Sequence, residues 1–537
     1  MKRVTFMPVS DRKPNSAKPI SVKPPGLRAF WVALTLAAFA TAIFVEPTAA
    51  QQWRGRHAGG YGAGWSGGHA GWAGRAGFQQ HGTFGARFNG HHPGGEHQAD
   101  RARAFAGHNG FEHRPWPGER GFTGVPPLGE TRFRSSEMVF HVDPNVSPQI
   151  VDAAARRLGL TTVDSESFSL TGGTLVHFRI ADGRPVSDVI RALEAEKIGI
   201  AQPNYVFKLQ QTTNLAALTT QGPPTQYVVN KMRLPEVHRI SIGTDVLVAV
   251  IDSEIDAQHP DLTGAVVAEF DAVGKTEKPH NHGTGMAGAI AAHRVLRGVA
   301  PGAHILAIHA FSPDAATAEA TTDHILRGIE WAIKKGARII NMSFAGPDDP
   351  ILHVALEKAR EKGVILIAAA GNAGPQSPPL YPGADSNVIA VTATDERDAI
   401  FPQANRGSYI SVAAPGVNIL EPAPSGGYQI TTGTSVAAAH VSGVAALLLE
   451  RNPKLDAAQL REILQTTAKD LGPRGRDDDY GWGLVDPYRA LQALDASSVP
   501  TASVHPDSQR VSATPAPTSR NTMSGPATAA PLSQTVR

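Results

Sequence analysis

Short, almost uninterrupted apolar runs alternate with helical patterns from about residue 246 onward, and they constrain the fold more than any other feature. The runs are rich in β-branched residues, as in Val246–Ile251. Strands that are buried on both faces of a parallel sheet have this pattern. The other candidate strands are His304–Ile308, Ala337–Met342, Val364–Ala370, Val388–Ala393 and Tyr409–Ala413. The candidate helices are Gly283–Ala292, Ala320–Lys335, Ile351–Lys362 and Ser435–Arg451. The sequence therefore predicts one large α/β domain with a mostly parallel sheet over residues 226–496.

A smaller unit is predicted in front of this domain. Residues 132–210 show strand and helix patterns in the order β-α-β-β-α-β, with helices at Pro148–Leu158 and Pro185–Glu196. That order is typical of a ferredoxin-like α+β unit. The connection at residues 211–225 contains Thr, Gln and Pro, so we expect it to be exposed and easily cut.

The N-terminus has the pattern of an export signal. A basic stretch precedes the apolar run Ala29–Val45, and small residues follow it up to Ala50. Residues 1–50 are therefore predicted to be a signal peptide, and the protein to be secreted or periplasmic. Alternatively, the run is retained as a membrane anchor, because it approaches the roughly 18 apolar residues that span a bilayer. The α/β domain would then lie outside the cytoplasm.

Two regions lack the composition of a packed fold. Residues 51–131 are rich in Gly, His and Arg, and residues 497–537 are rich in Ser, Thr and Pro. Both are predicted to be disordered, because they have too little apolar content to offset the entropy cost of ordering. The histidines of the first region could bind a transition metal and its arginines a polyanion, but their irregular spacing favours a solvated linker.

Charge and cysteine content narrow the function. Lys+Arg 50 and Asp+Glu 48 give a net charge of +2, which provides no argument for a nucleic-acid partner. Because the chain has no cysteine, a disulfide framework, a zinc-thiolate site and a cysteine nucleophile are excluded.

Four polar residues lie at the ends of predicted elements, where a catalytic group would be held rigidly. Asp252 ends a buried strand at the carboxyl edge of the sheet, where open α/β folds bind ligands. His282 begins a helix whose dipole disfavours the imidazolium, so it needs a carboxylate partner to act as a base. Ser435 begins an almost wholly apolar helix, and Asn372 lies in a glycine-flanked turn after another strand. The Asn372 amide and the Ser435 N–H could together stabilise an oxyanion.

Each of these residues also has an ordinary structural interpretation. An aspartate at a strand end is often a cap, a histidine can merely lie near a helix start, serine is a common helix N-cap, and Asn-Ala-Gly is a common turn. It is the combination of all four, in this order and on these elements, that favours a catalytic site.

In this combination the chain resembles the subtilisin-like serine proteases, the subtilase family, whose acid, base and nucleophile follow one another in this order. The resemblance covers roughly residues 226–496. It is carried by Val250-Ile251-Asp252-Ser253, His259-Pro260-Asp261-Leu262, His282-Gly283-Thr284, Asn341-Met342-Ser343-Phe344, Ala370-Gly371-Asn372, Tyr381-Pro382 and Gly433-Thr434-Ser435. It implies a three-layer subtilisin-like domain and a serine endopeptidase that acts on proteins or peptides.

The resemblance also implies a role for each site residue. Asp252 would orient His282, His282 would take the proton of Ser435, and Asn372 would hold the oxyanion. An edge strand that pairs with extended substrate would consist of Ser343, Phe344, Ala345 and Gly346.

The unit at residues 132–210 resembles the inhibitory propeptide of the same family. The implied partner of the catalytic domain is therefore its own propeptide. Ser435 itself would cut the connection between Lys208 and Thr225, so that the protein would be an autoprocessed zymogen.

The chain departs from the family pattern at several positions. Glu254 stands where glycine is usual, Gly285 where a second histidine is frequent, and Ala439 where proline is common. Asp261 matches a calcium-ligand position, but the loop that follows it, His293–Arg297, carries cations. Calcium takes about six to eight oxygen ligands, so we expect no metal site there and no required cofactor.

A second hypothesis belongs to another functional class. A catalytically silent binding protein on the same fold would dock extended peptides at Phe344. The presence of all four chemical roles in one chain favours the enzyme.

Overall fold

The computed structural model describes residues 122–209, 212–214, 226–313 and 318–498. The predicted signal segment, the Gly/His/Arg-rich region up to residue 121, most of the connection and nearly all of the C-terminal tail lie outside the described residues. The boundaries proposed for those segments therefore stay predictions. No helix in the described part of the chain has the length and apolar character needed to cross a membrane.

The N-terminal unit, which we define as residues 122–209, has the predicted β-α-β-β-α-β order. Its elements are β1 (Phe133–Val142), α1 (Pro148–Arg157), β2 (Leu160–Phe168), β3 (Gly173–Ile180), α2 (Val186–Glu196) and β4 (Gly199–Leu209). The strands form an antiparallel sheet in the order β4-β1-β3-β2. The apolar faces of α1 and α2 cover a core that includes Phe140 and Phe178. The ferredoxin-like prediction is thus confirmed.

After β4 come the short strand β5 and the elements of the large domain, which we define as residues 226–498. They are β5 (Thr212–Asn214), α3 (Tyr227–Lys231), α4 (Leu234–Val237), β6 (Leu247–Asp252), β7 (Val266–Asp271), α5 (Asn281–Ala291), β8 (His304–His309), β9 (Glu319–Thr321), α6 (Thr322–Lys334), β10 (Ile339–Met342), β11 (Phe344–Ala345), α7 (Pro350–Glu361), β12 (Ile365–Ala369), β13 (Ile389–Thr394), β14 (Ile410–Pro415), β15 (Ile419–Ala423), β16 (Gly427–Thr432), α8 (Thr434–Arg451), α9 (Ala457–Thr467) and α10 (Pro487–Ser498).

Seven of these strands form a parallel sheet in the order β14-β13-β12-β10-β6-β8-β7. Helices α5 and α8 pack on one face of the sheet, and α6 and α7 pack on the other. The apolar runs are buried because both faces are covered. This arrangement confirms the predicted three-layer α/β domain.

The prediction that a helix begins at Ala320 and runs to Lys335 was wrong about where the helix begins. Residues Glu319–Thr321 form strand β9, and helix α6 begins at Thr322. The reason is a strand partner far away in the sequence: β9 pairs antiparallel with β4, for example through Ala320 and Phe207. On its other edge, β4 pairs with β11. The last strand of the N-terminal unit therefore lies between two short strands of the large domain.

The N-terminal unit packs on the α6/α7 face of the large domain. The Glu330 carboxylate on α6 accepts the N–H groups of Ser169 and Leu170 at 3.0 and 2.9 Å. At the start of α7, the Gln202 amide donates to Asp349 Oδ1 at 2.7 Å and accepts from the Ile351 N–H at 2.9 Å. These hydrogen bonds and a shared apolar core thus hold the N-terminal unit and the large domain together.

Candidate active site

Asp252 and His282 form a buried pair at the carboxyl end of the parallel sheet. Asp252 ends β6, and His282 lies in the first turn of α5. The His282 Nδ1 atom is 2.7 Å from Asp252 Oδ1 and 2.8 Å from Oδ2, and both side chains are fully buried. Because an ionised carboxylate only accepts, Nδ1 donates and the proton-accepting nitrogen is Nε2. Nε2 is buried and has no hydrogen-bond partner among the described residues.

Ser253 and His280 support this pair, a role that no sequence pattern predicted for either residue. Ser253 donates to Asp252 Oδ1 from its backbone N at 2.7 Å and from its hydroxyl at 3.1 Å. The same hydroxyl accepts the Gly283 N–H at 3.1 Å, and His280 Nδ1 accepts the His282 N–H at 3.3 Å. A Cβ on Gly283 would lie 2.3 Å from the Ser253 carbonyl oxygen, so this contact requires glycine. The only sequence signal for Ser253 is its position directly after Asp252.

Ser435 lies buried in the first turn of α8 and is tied to Ser343. Its hydroxyl donates to the Ser343 carbonyl at 3.1 Å, and the Ser343 hydroxyl donates to the Ser435 carbonyl at 2.9 Å. Behind them, Asn341 Nδ2 donates to Ser343 Oγ, and Ser442 Oγ donates to Asn341 Oδ1, both at 2.9 Å. This chain of hydrogen bonds fixes the start of α8 against the end of β10.

Asn372 follows β12 and is oriented by Thr434. Its Oδ1 atom accepts from the Thr434 backbone N at 3.1 Å and from the Thr434 hydroxyl at 2.8 Å. The same hydroxyl accepts the Gly371 N–H at 3.2 Å. Because Oδ1 faces Thr434, the Nδ2 donor points to the other side of the amide. Gly371 has a φ of 106°, a left-handed value that favours glycine in this turn.

The structure brings the four predicted catalytic residues to one end of the sheet, but not all of them are in direct contact. Asp252 and His282 are in direct contact, and Asn372 contacts Thr434, the neighbour of Ser435. The Ser435 hydroxyl, however, donates to the Ser343 carbonyl, and it does not bond His282 Nε2. A proton transfer between the two requires the hydrogen bond to His282 Nε2 to form.

Two of the four predicted substrate-binding residues form the expected edge strand. Phe344 and Ala345 make up β11, and they pair antiparallel with Leu209 and Lys208 of β4. Ser343 lies between β10 and β11, where its carbonyl contacts Ser435. Gly346 instead pairs with Tyr381, through two backbone hydrogen bonds of 2.8 and 3.1 Å. The edge that would bind substrate is thus occupied by the chain's own β4.

Asp261 is bound by backbone donors. Its Oδ1 atom accepts the N–H groups of Arg294, Val295 and Leu296 at 3.1, 2.5 and 3.3 Å. These groups are hydrogen-bond donors, whereas calcium requires oxygen ligands, so this set does not fit the ion. The need for a cofactor elsewhere in the chain is a separate question, and its absence stays a prediction.

One buried carboxyl group near the site has no counterpart in the sequence analysis. Glu421 on β15 is 1% exposed. Burial raises the pKa of Glu421 to about 8, and the negative charge of Asp252 acts in the same direction. The protonated, neutral form of Glu421 therefore predominates at pH 7. Sequence patterns did not indicate Glu421 because its burial depends on how the β15–β16 hairpin packs on α5.

Comparison with known proteins supports the resemblance to the subtilisin-like serine proteases. A family profile described as Peptidase S8, subtilase family, matches residues 243–483. The chain is 37% identical over 262 residues to the minor extracellular protease Epr of Bacillus subtilis (strain 168), with 48% of this chain and 39% of Epr covered. It is also 37% identical over 278 residues to subtilisin E of the same strain, with 50% of this chain and 71% of subtilisin E covered.

A solved structure shares the fold. The crystal structure of fervidolysin from Fervidobacterium pennivorans, described as a keratinolytic enzyme related to subtilisin, aligns with a TM-score of 0.58 at 28% identity. The alignment covers 68% of this chain and 62% of that chain. The sequence match spans 39% of Epr and 41% of fervidolysin, but 71% of subtilisin E. The chain belongs to the subtilase family of subtilisin-like serine endopeptidases.

Proposed function

We propose that the protein hydrolyses peptide bonds with Asp252, His282 and Ser435 through an acyl-enzyme intermediate. The observation that carries the proposal is the buried Asp252–His282 pair, with distances of 2.7 and 2.8 Å, whose Nε2 atom has no partner among the described residues. Helix α5, which carries this base, packs against α8, which carries the serine. A carboxylate-oriented imidazole beside a serine at a helix start is the arrangement that activates a nucleophile.

The reaction follows from the roles of these groups. The Ser435 hydroxyl turns from the Ser343 carbonyl and attacks the scissile carbonyl carbon, and His282 Nε2 takes its proton. Asp252 stabilises the imidazolium, while Asn372 Nδ2 and the Ser435 N–H hold the oxyanion. His282 then protonates the leaving amine. Water attacks the acyl-enzyme by the same steps in reverse, which releases the acid product and restores the serine.

The substrate we propose is an extended segment of a protein or peptide. Strand β4 provides the precedent, because it pairs antiparallel with β11 on one edge and with β9 on the other. A substrate segment in this groove would gain main-chain hydrogen bonds on both edges, which bind any sequence in extended conformation. Side-chain preference would then come from the walls of the groove.

We further propose that the N-terminal unit is an inhibitory propeptide that Ser435 removes. β4 fills the groove up to Leu209, which lies opposite Phe344. The next described segment, β5, pairs with β16, and β16 leads directly to Ser435. The described chain on either side of residues 210–211 is therefore bound to strands that adjoin the nucleophile. This supports cleavage at a bond between Leu209 and Thr212.

Export is proposed from the N-terminal sequence pattern. A basic stretch, the apolar run Ala29–Val45 and small residues before Gln51 indicate a secreted or periplasmic protein, or one anchored by that run. One relative, Epr, is named as an extracellular protease. A propeptide that blocks the site until folding is complete would suit an exported protease.

The proposal is tested with a phosphonate that reacts with activated serines. Residues 51–537 are expressed as wild type, Ser435→Ala and Ser386→Ala, a control at an exposed serine. We expect labelling of wild type and Ser386→Ala but not of Ser435→Ala, and peptide hydrolysis by the two labelled proteins alone. Wild type that is folded but neither labelled nor active would refute the proposal.

A further inference from the structure

The side chain of Glu421 occupies space beside the helix that carries the catalytic histidine. Gly285 follows His282 by three residues in α5, so the two share one helix face. A Cβ on Gly285 would lie 2.6 Å from Glu421 Oε2 and 3.0 Å from Gln429 Nε2. The two side chains thus take the volume that any side chain at position 285 would need.

Gln429 connects this group to the start of α5. It lies opposite Glu421 in the β15–β16 pairing and is fully buried. Its Nε2 atom donates to the Asn281 carbonyl at 2.7 Å and to the Pro422 carbonyl at 3.3 Å. Asn281 directly precedes His282, and β16 leads to Ser435. The hairpin before the nucleophile is therefore tied to the turn that carries the base.

We propose that Glu421 and Gln429 are positioning residues for the reaction proposed above. In its neutral form, Glu421 packs against Gly285 and leaves Gln429 bonded to Asn281, which holds His282 in place relative to Ser435. Ionisation of Glu421 releases this arrangement and lowers turnover at alkaline pH. The inference rests on the proposed function, because it concerns the same base and nucleophile.

The surroundings of Glu421 favour its neutral form. Neither carboxyl oxygen has a well-aligned hydrogen-bond partner among the described residues, and the same holds for Thr431 Oγ1. Burial raises the pKa of Glu421 to about 8, although the nearby Thr431 hydroxyl moderates the shift. The titratable groups on the packed elements are Asp252 on β6, His282 on α5 and, beyond Leu420 and Pro422, His440 on α8, which bonds the Pro415 carbonyl. β16 contributes no charged residue, and its one titratable group is Tyr428, whose pKa burial raises to about 12.

An ionised Glu421 needs hydrogen-bond donors, because a buried carboxylate without them is strongly unfavourable. The Gln429 Nε2 atom can serve as this donor, because Nε2 and Glu421 Oε2 both lie within 3.0 Å of the position that a Cβ on Gly285 would occupy. Recruiting it to the carboxylate breaks its bond to the Asn281 carbonyl. The first turn of α5 then loses a fixed contact, and His282 loses its position. We therefore expect kcat to change more than KM.

The test compares wild type, Glu421→Gln and Glu462→Gln, an exposed control on α9. Each full chain is allowed to mature, its active sites are counted with the serine-directed phosphonate, and kcat and KM for a chromogenic peptide are measured from pH 6 to pH 10. With a pKa of about 8, wild type should lose about 30-fold in kcat by pH 9.5. Glu421→Gln should lose less than about threefold over the same interval, and Glu462→Gln should follow wild type.

The outcomes separate this inference from the proposed function. Wild type without a titratable serine would contradict the proposed function, whereas coincident profiles of labelled wild type and Glu421→Gln would overturn only the role of Glu421. If Glu421→Gln does not fold, Gly285→Ala and the double variant Gly285→Ala/Glu421→Ala replace it. We expect phosphonate labelling of Gly285→Ala to be at least tenfold slower than wild type and the double variant to recover most of that loss. Equal labelling of Gly285→Ala, or no recovery in the double variant, would overturn the inference.

Discussion

The orientation of the Asn372 amide depends on one neighbouring residue, Thr434. Its backbone N and its hydroxyl both donate to Asn372 Oδ1, at 3.1 and 2.8 Å. An oxyanion donor must be fixed before the negative charge develops, because reorientation during the reaction would cost free energy. The threonine before the nucleophile therefore contributes to the site without contacting the substrate carbonyl.

Replacing Asn372 with Ala removes the Nδ2 donor from the proposed oxyanion hole. Loss of the comparable asparagine in subtilisin lowers turnover by about 10²–10³, and we expect a similar fall in kcat with little change in KM. Steady-state kinetics with a chromogenic peptide measure it. Asn372→Asp, which keeps the shape but loses the donor, should be at least as impaired. A fall of less than about tenfold would place Asn372 outside the oxyanion hole.

Replacing Thr434 with Val keeps the shape of the side chain but removes its hydroxyl. Asn372 Oδ1 and the Gly371 N–H each lose a partner. We expect kcat to fall by about tenfold, since one hydrogen bond of about 1–1.5 kcal/mol then no longer holds the donor. Thr434→Ser restores the hydroxyl and should stay close to wild type. Equal kinetics for the Val and Ser variants would show that the hydroxyl has no orienting role.

Among the structural elements, β4 has the most direct effect on the site. It pairs with β9 and β11 together, so it blocks the groove in which an extended substrate would bind. Phe207 of β4 is fully buried, and its ring meets that of Phe344 edge-on at a centroid distance of 5.9 Å. The proposed inhibition would therefore depend on side-chain burial as well as on backbone pairing.

Truncating Phe207 to Ala should weaken inhibition by the N-terminal unit. Loss of a buried phenylalanine costs about 3–5 kcal/mol, which corresponds to a rise of at least about 10² in the inhibition constant of the unit added to mature enzyme. Val163→Ala is the matched control, because Val163 is 44% exposed on β2. An inhibition constant that is the same for both variants would contradict the assigned role of β4.

We expect His177 to make the proposed inhibition depend on pH. It lies between Glu137 of its own unit, 3.1 Å from Nε2, and Asp323 on α6, 3.6 Å from Nδ1. Burial lowers the pKa of His177, but the hydrogen bond to Glu137 and the charge of Asp323 outweigh burial, so the net pKa is raised. Because Glu137 belongs to the same unit as His177, the contribution to this rise that depends on binding is the negative charge of Asp323. The attraction to Asp323 favours binding while His177 is charged, below the usual histidine pKa, and it is lost as pH rises through the raised value.

The inhibition constant of the N-terminal unit should thus increase between pH 6 and pH 9. His177→Gln cannot become charged, so its inhibition constant should vary less over that interval. Inhibition assays at a series of pH values, corrected for the activity of mature enzyme alone, measure the slope. Identical slopes for wild type and His177→Gln would exclude this histidine as the cause.

The sequence predicted those elements whose burial comes from their own composition. The parallel strands are apolar throughout, and Asp252, His282, Asn372 and Ser435 stand at their ends or at helix starts. Strands β9 and β11 are short and form because β4 pairs with them, which local patterns do not encode. Gly285 appeared as a departure from the family pattern. Its contact with Glu421 could not be predicted, because it depends on how the β15–β16 hairpin packs on α5.

In the whole molecule, the N-terminal unit and the large domain are parts of one chain, and β4 of the first pairs with β9 and β11 of the second. The N-terminal unit completes the apolar core on the α6/α7 face, and its last strand leads into the groove. After residues 210 and 211, strand β5 pairs with β16, which ends next to α8, the helix that carries Ser435. On the proposed function, a peptide bond of the same molecule would therefore be the first substrate.

The most direct test of the account is the mass and N-terminal sequence of the mature protein. Full-length wild type and Ser435→Ala are folded under the same conditions and measured over time by intact-mass spectrometry. We expect wild type to divide into two fragments, the second beginning at Gln210, Gln211 or Thr212, and Ser435→Ala to stay intact. Cleavage of purified Ser435→Ala at the same bond, or a folded wild type that remains whole, would contradict the account.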